Sequence, residues 1–289
     1  MDSIETPFGK KDEILGGSAT FFSIAASFFD KVNIIATVGE DFPKKHLKML
    51  KHRNIGIDGI TVKRGKTFRW EGRYEYDMNV AHTLATHLNV FRDFSPDIPQ
   101  NLRNSRVLFL ANIDPDLQER VLSQMNKPKL IACDSMNHWI TGKKRSLEKF
   151  LHKVDIFLLN DSEARQLSGE ANLIKAAKSI TSCGPKAVVI KKGEHGVLYY
   201  SRGSHFLAPA YPLDNVYDPT GAGDTFAGGM IGYLSKAGKI DNASIRKSII
   251  YGSILASFAV EDFSINKLLK ISMGDISKRY NELKEMTKF

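Results

Sequence analysis

The stretch Asp218-Pro219-Thr220-Gly221-Ala222-Gly223-Asp224-Thr225-Phe226-Ala227-Gly228-Gly229 gathers the groups that acid–base chemistry on an anion requires. A polar, glycine-broken turn runs straight into an apolar segment, Phe226 to Leu234, that reads as a helix. Asp218 or Thr220 can cap the first turn, where backbone N–H groups lack partners. Gly221 and Gly223 let such N–H groups face outward with no side chain in the way, so the turn can cradle an anion. Asp224 then falls in the first helical turn. A carboxylate beside an oxyanion cradle suits one task, taking a proton from a hydroxyl that attacks a phosphoryl group. An isolated G-x-G-D is more often a plain capped helix start.

Other constellations are weaker alone. Gly16-Gly17 precedes a helix-like apolar run, Phe21 to Phe29, and paired glycines there can be a tight turn. Asn160-Asp161-Ser162-Glu163 follows an apolar strand, where Asn and Asp commonly cap the next helix. Lys191-Lys192-Gly193-Glu194-His195-Gly196 joins two strands, as many glycine-rich hairpins do. Gly65-Lys66-Thr67 is not a phosphate-binding P-loop: the glycine needed five positions earlier is Ile60, and no strand-to-helix switch surrounds it.

The elements that must position these residues follow from periodicity. Val32 to Gly39 is a continuous apolar run that suits a buried parallel strand, and a helix from Lys44 to Arg53 follows. From Ile60 to Val90, β-formers and charges alternate, which reads as half-exposed strands. Strands at Val107–Asn112, Leu130–Asp134, Ile156–Asn160 and Ala187–Lys191 then alternate with helices at Pro115–Met125, Lys144–Leu151, from Asp161, and Ala171–Ser182. Such βα units build a parallel sheet with helices on both faces and ligands beyond the strands' C-terminal ends.

Taken whole, the string from Asp218 to Gly229 closely resembles the C-terminal signature of the ribokinase-like (PfkB) carbohydrate kinases. Its D-T-x-G-A-G-D glycines and Asp224 match without gaps, and Pro219 and Thr220 fill the positions between Asp218 and Gly221. The resemblance runs along nearly the whole chain and implies a three-layer α/β/α sandwich, residues 1–289 forming one kinase domain with a mostly parallel central sheet. A small β lid would come from about residues 5–15 and 60–90. It implies Asp224 as catalytic base, with Gly221, Ala222 and Gly223 as the anion hole. Gly16 and Gly17 would let the backbone approach the acceptor, and Phe21 stands near a position where the family often has Asn. The N-x-x-E pair Asn160 and Glu163 would organise magnesium and phosphate through water, since a hard cation takes oxygen ligands. Asn160, Lys191, Gly193, Gly196, Thr220 and Ser253 would line the nucleotide, Ser253 within the segment Gly252–Ala256 that resembles an adenine wall. Asp218 marks the family's monovalent-cation position, although the loop Val260–Ser264 lacks the glycine often found there. The expected cofactors are therefore ATP and magnesium, with potassium at Asp218.

In similar kinases a central apolar strand ends in G-x-x-x-x-D, whose Asp binds sugar hydroxyls. Asp2 matches that Asp, but no such strand precedes it. The expectation is a true start further upstream and an Asp2 with nothing to anchor it.

Composition narrows the class. Hydrophobic content of 42% and 25% charged residues suit a globular protein, and no apolar run approaches the ~20 residues of a membrane-spanning helix. Two cysteines, Cys133 and Cys183, make no disulfide framework, and no signal pattern opens the chain, which points to the cytoplasm. The net charge of +9 is scattered, so a basic surface suited to nucleotides explains it better than nucleic-acid binding. The expected partner is a small-molecule acceptor, a sugar or nucleoside, with the lid as a homodimer surface. Two alternatives remain: a kinase of phosphorylated sugars, using Lys63, Arg64, Lys66, Arg69 and Arg73, and a ligand-binding regulator on the same scaffold. Solvated strand edges explain the lid cations better, and a regulator has no need of Asp224.

Overall fold

A hairpin opens the chain: β1 (Asp2–Thr6) turns back as β2 (Gly9–Ile14) through Pro7 and Phe8. Helix α1 (Ser18–Ala26) follows, then β3 (Val32–Gly39), α2 (Lys44–His52) and β4 (Ile55–Lys63). β3 and β4 pair in parallel as a two-stranded sheet across the α2 crossover. β5 (Arg69–Tyr74) lies parallel to β1 and antiparallel to β6 (Ala81–His87), giving a separate sheet in the order β2-β1-β5-β6. This is a computed structural model, and it describes residues 1–288.

The stretch 60–90 therefore divides between two sheets. Thr61, Val62 and Lys63, expected in the lid, belong to β4 and pair with Thr37, Val38 and Gly39 of β3. Their alternation reflected exposure at the end of β4, not membership of another sheet. Where β3 ends, a knot of polar contacts fixes the start of β5. Asp41 Oδ1 accepts from Thr67 N–H at 2.7 Å and from Thr67 Oγ1 at 2.6 Å, while Asp41 Oδ2 accepts from Arg69 at 3.1 Å. Gly39 N–H donates to Thr67 Oγ1 at 3.0 Å, and Arg69 also meets Glu13 of β2. The backbones run so close that a Cβ on Gly39 would stand 2.3 Å from the Gly65 carbonyl oxygen.

Residues Pro96–Ala210 form one of two compact units. It holds β7 (Val107–Leu110), α3 (Pro115–Ser123), β8 (Leu130–Asp134), α4 (Asn137–Gly142), α5 (Lys144–Leu151), β9 (Ile156–Asn160), α6 (Asp161–Ser168), α7 (Leu173–Ser182), β10 (Ala187–Lys191), β11 (Val197–Ser201) and β12 (Ser204–Ala208). The six strands stand in chain order, β7 to β10 parallel and β11 and β12 as antiparallel hairpins. The unbroken apolar runs have the cause expected: Phe157, Leu158, Val188, Val189 and Ile190 are all 0% exposed, so both faces of these strands are covered. Helix α4 was not expected from the sequence. No apolar period marks it, and Trp139 is held by its indole N–H donating to Asn112 Oδ1 at 3.1 Å.

The second unit joins Met1–Ser95 to the chain from Tyr211 onward, adding α8 (Ala222–Ala237), α9 (Asn242–Ala259), α10 (Asn266–Lys270) and α11 (Met273–Met286). Helix α8 is its axis. A Cβ at Gly228 would fall 2.2 Å from the Phe22 carbonyl oxygen of α1, and one at Gly229 would fall 2.9 Å from Leu255 of α9. Glycines on opposite sides of α8 thus let α1 and α9 approach it closely, which fixes the start of α8 against the rest of the unit. Among the described residues no helix is long and apolar enough to cross a membrane.

Candidate active site

Helix α8 begins without a side-chain cap, contrary to the expectation for Asp218 or Thr220. Its N-cap is Gly221, in the left-handed conformation at φ 76°, with the ring of Phe21 2.3 Å from where a Cβ would stand. Backbone shape and neighbour together demand glycine there. Asp218 is instead buried and occupied with backbone: Oδ1 accepts from Thr220 N–H at 2.9 Å, and Oδ2 from Ser264 N–H at 3.2 Å. Burial pushes its carboxyl above the usual carboxylate range, against the pull of those donors. Ser264 adopts φ 59°, the backbone shape a glycine would take, and its hydroxyl donates to the Leu15 carbonyl.

The Ala222 N–H closes the turn onto the Pro219 carbonyl at 3.1 Å, and Thr225 N–H bonds Gly221 O at 2.8 Å. The Gly221 and Gly223 N–H groups make no such backbone bond among the described residues. Asp224 lies in the first helical turn beside them.

Asp2 is not an unanchored terminal residue. In β1 it pairs with Ile14 of β2 and Trp70 of β5, and it is only 5% exposed. Burial pushes its carboxyl up to about 6; the Met1 amino group and a Gly17 N–H bond oppose this, while Asp218 and Asp224 add to it. A Cβ on Gly16 would fall 1.7 Å from Asp2 Oδ2, so the first glycine of the pair makes room for this carboxylate. Gly17, at φ 88°, is the N-cap of α1. Tyr74, the last residue of β5, completes the group. Its hydroxyl accepts from Thr220 Oγ1 at 3.3 Å, and burial, with Asp218, Asp2 and Asp224 adding to it, raises its pKa to about 12 despite that bond. One unit therefore collects Asp2, Gly16, Gly17, Tyr74, Asp218, Thr220 and Gly221 to Asp224. Ser253 lies in the same unit, buried in α9, its hydroxyl without a hydrogen-bond partner among the described residues.

The remaining expected residues stand in the other unit, at the C-terminal ends of β9 and β10. Asn160 and Lys191 are partners in the parallel ladder. Asn160 and Glu163 form a reciprocal capping box on α6, each side chain accepting the other's backbone N–H at 2.7 Å. Gly193 opens a tight turn that ends at Gly196, where φ is 78° and a Cβ would meet the Ala208 carbonyl at 2.0 Å.

Comparison with known proteins decides the family: the pattern of pfkB family carbohydrate kinases matches residues 12–270. The chain belongs to the pfkB family. This pfkB kinase is 29% identical over 242 residues to a cytidine kinase of Thermococcus kodakarensis, covering 82% of this chain and 86% of the relative. A putative ribokinase II from E. coli, solved with ATP and magnesium, superposes with a TM-score of 0.79 at 19% identity, covering 97% of this chain and 96% of that one. A Burkholderia thailandensis nucleoside kinase in complex with inosine gives 0.75 at 16% identity, over 98% and 95%. The fold is thus ribokinase-like and the protein is a phosphotransferase of the sugar and nucleoside kinase family.

At the site of this pfkB kinase Tyr74 showed in the sequence only as the third residue of the alternation Trp70, Gly72, Tyr74 on β5, and Ser264 only as the end of a loop that lacks a glycine. Gly16→Ala should act through Asp2, raising the acceptor KM by about tenfold or more while the nucleotide KM holds. Steady-state kinetics with each substrate varied in turn checks it, and an unchanged acceptor KM would separate Gly16 from acceptor binding.

Proposed function

We propose that this pfkB kinase transfers the γ-phosphoryl group of ATP to a hydroxyl of a nucleoside, with a free sugar as the second choice. The observation that carries the reading is the start of α8: Asp224 in its first turn, behind a left-handed Gly221, with Asp2 and Tyr74 close enough to feel its charge. Asp2 accepts hydrogen bonds from acceptor hydroxyls and orients them. Asp224 takes the proton of the attacking hydroxyl. The Gly221 and Gly223 N–H groups and the positive end of α8 hold the charge on the transferring group. Preference for a nucleoside rests on the cytidine kinase relative.

Lys191, Gly193 and Gly196, all in the unit Pro96–Ala210, are assigned to the nucleotide. Magnesium, when bound with ATP, neutralises phosphate charge. Among the described residues no cluster of three or more His, Cys, Asp or Glu could hold a metal. Asn160 and Glu163 would reach the hydrated ion through water, both carrying side-chain oxygens of the kind a hard cation takes. Each Asp218 oxygen accepts one backbone N–H group and keeps a further lone pair, so this carboxylate can also take the monovalent cation that the family resemblance implies there.

A phosphorylated acceptor is the weaker reading: of the five cations it would use, Lys63 lies on β4 and donates to the Asp93 carbonyl, Arg69 pairs with Asp41 and Glu13, and Arg73 pairs with Glu75. The β6 edge, with Leu84 58% exposed, is the surface assigned to a homodimer. Both cysteines are free thiols, in keeping with a cytoplasmic setting. A screen of ADP release against nucleosides, sugars and sugar phosphates tests the assignment. Nucleosides should give the highest kcat/KM, and turnover on sugar phosphates alone would replace this reading.

A further inference from the structure

Besides Asp2 of β1, which meets Gly16 and Gly17, the two ends of β5 tie the sheet β2-β1-β5-β6 to the rest of its unit. At Arg69 the strand is tied to Asp41 of the β3 exit. At Tyr74 it reaches Thr220, whose N–H is held by Asp218 and which immediately precedes the N-cap glycine of α8. The Thr220 hydroxyl meets the Tyr74 hydroxyl at 3.3 Å and so joins β5 to the turn 218–224.

We infer that Tyr74 is a positioning residue: through the Thr220 hydroxyl, the lid sheet sets the turn that carries the Gly221 and Gly223 donors and Asp224. The argument is geometric. Thr220 has two handles, its N–H on buried Asp218 and its hydroxyl between Asp218 and Tyr74, and turning its backbone away disturbs both. Gly221 next to it is the residue most free to rotate, since its left-handed shape has no Cβ to restrict it. The turn therefore has a rigid helix on one side and a swivel on the other, and Thr220 stops the swivel. The same β5 strand pairs residue by residue with β1, whose Asp2 meets the acceptor, so Tyr74 ties acceptor binding to the anion cradle. Phosphoryl transfer is sensitive to such placement, because positioning and preorganised charge supply nearly all of its acceleration.

This inference rests on the kinase reading, and the test separates the two. Tyr74→Phe keeps the ring and removes the hydroxyl, and Thr220→Val removes the other partner. Each should lower kcat about tenfold, the scale of one hydrogen bond, and Tyr74→Phe should leave the nucleotide KM within about twofold of wild type. The double variant should fall no further than either single one, and Thr220→Ser should restore the rate. Amide hydrogen exchange of the ligand-free protein needs no acceptor: the Thr220, Ala222 and Thr225 amides should exchange faster in Tyr74→Phe and in Thr220→Val, by similar factors. Losses that multiply in the double variant, a Thr220→Ser as slow as Thr220→Val, or unchanged exchange in this turn would each overturn the inference. Failure of wild type to phosphorylate any hydroxyl would instead remove the kinase reading, and the exchange result would still decide whether Tyr74 sets the turn.

Discussion

Asp224→Asn is expected to lower kcat by roughly two or more orders of magnitude, the usual scale for loss of a general base. Nucleotide affinity should hardly change. The substitution is nearly isosteric, so the first turn of α8 and its Gly221 cap keep their shape. What disappears is the only carboxylate of the twelve-residue signature that lies within the helix, beside the N–H groups of Gly221 and Gly223. Single-turnover kinetics reads the chemical step, and isothermal titration with a non-hydrolysable ATP analogue reads binding. Turnover within a few-fold of wild type would take Asp224 out of the proton-transfer role.

Asp2→Asn should make the protein more stable and a poorer enzyme. The folded Asp2 carboxyl titrates at about 6, above its ordinary 3.8, so the folded protein holds this proton more tightly than the unfolded chain does. Stability is therefore lost as pH rises from about 4 through about 6, and the penalty is complete above that range. Asparagine cannot ionise and escapes it. At about pH 8 the variant should gain up to about 3 kcal/mol, seen as a raised Tm, and the gain should vanish as pH falls towards 4. The acceptor KM should rise at the same time, because an amide accepts hydroxyl bonds less strongly than a carboxylate. A Tm difference that does not vary with pH would show that Asp2 is not held at a cost. Such an exchange of stability for function is common at binding sites.

The parts of this molecule that could be read from sequence are those whose cause is local. Val32–Gly39, Leu130–Asp134, Ile156–Asn160 and Ala187–Lys191 have the bounds expected; in the last three a continuous apolar run is covered on both faces, whereas Val32–Gly39 is only partly buried. The start of α8 was legible because glycine spacing and a carboxylate are written side by side. What was not legible depends on distant partners. Thr61–Lys63 looks like lid because its side chains are exposed, yet its backbone belongs to β3. Asp2 looks unanchored until β5, more than sixty residues later, pairs with it at Trp70. Asp218 looks like a cap, but Ser264 offers its backbone N–H from the far side, and no spacing rule reports that. Tyr74 carries no motif at all; its meaning comes from Thr220, 146 positions away.

The interleaving of the two units has a consequence for how the chain folds as it is made. Pro96–Ala210 is contiguous, and its strands lie in chain order, so it can close on itself once its last strand is available. The other unit cannot. Its first part holds α1 and both small sheets, but the helix that α1 packs against begins only at Ala222. The Ser264 hydroxyl meets the Leu15 carbonyl across 249 positions. Until that late segment is synthesised, Phe21, Ile24 and Ala25 of α1, each no more than 1% exposed in the finished fold, lack the α8 surface that covers them. Pairing of distant segments is slow, and apolar surface open in the meantime invites wrong partners. The carboxylate site is thus the last thing to be assembled, from the two ends of the chain, and the nascent protein is most vulnerable just before it can work.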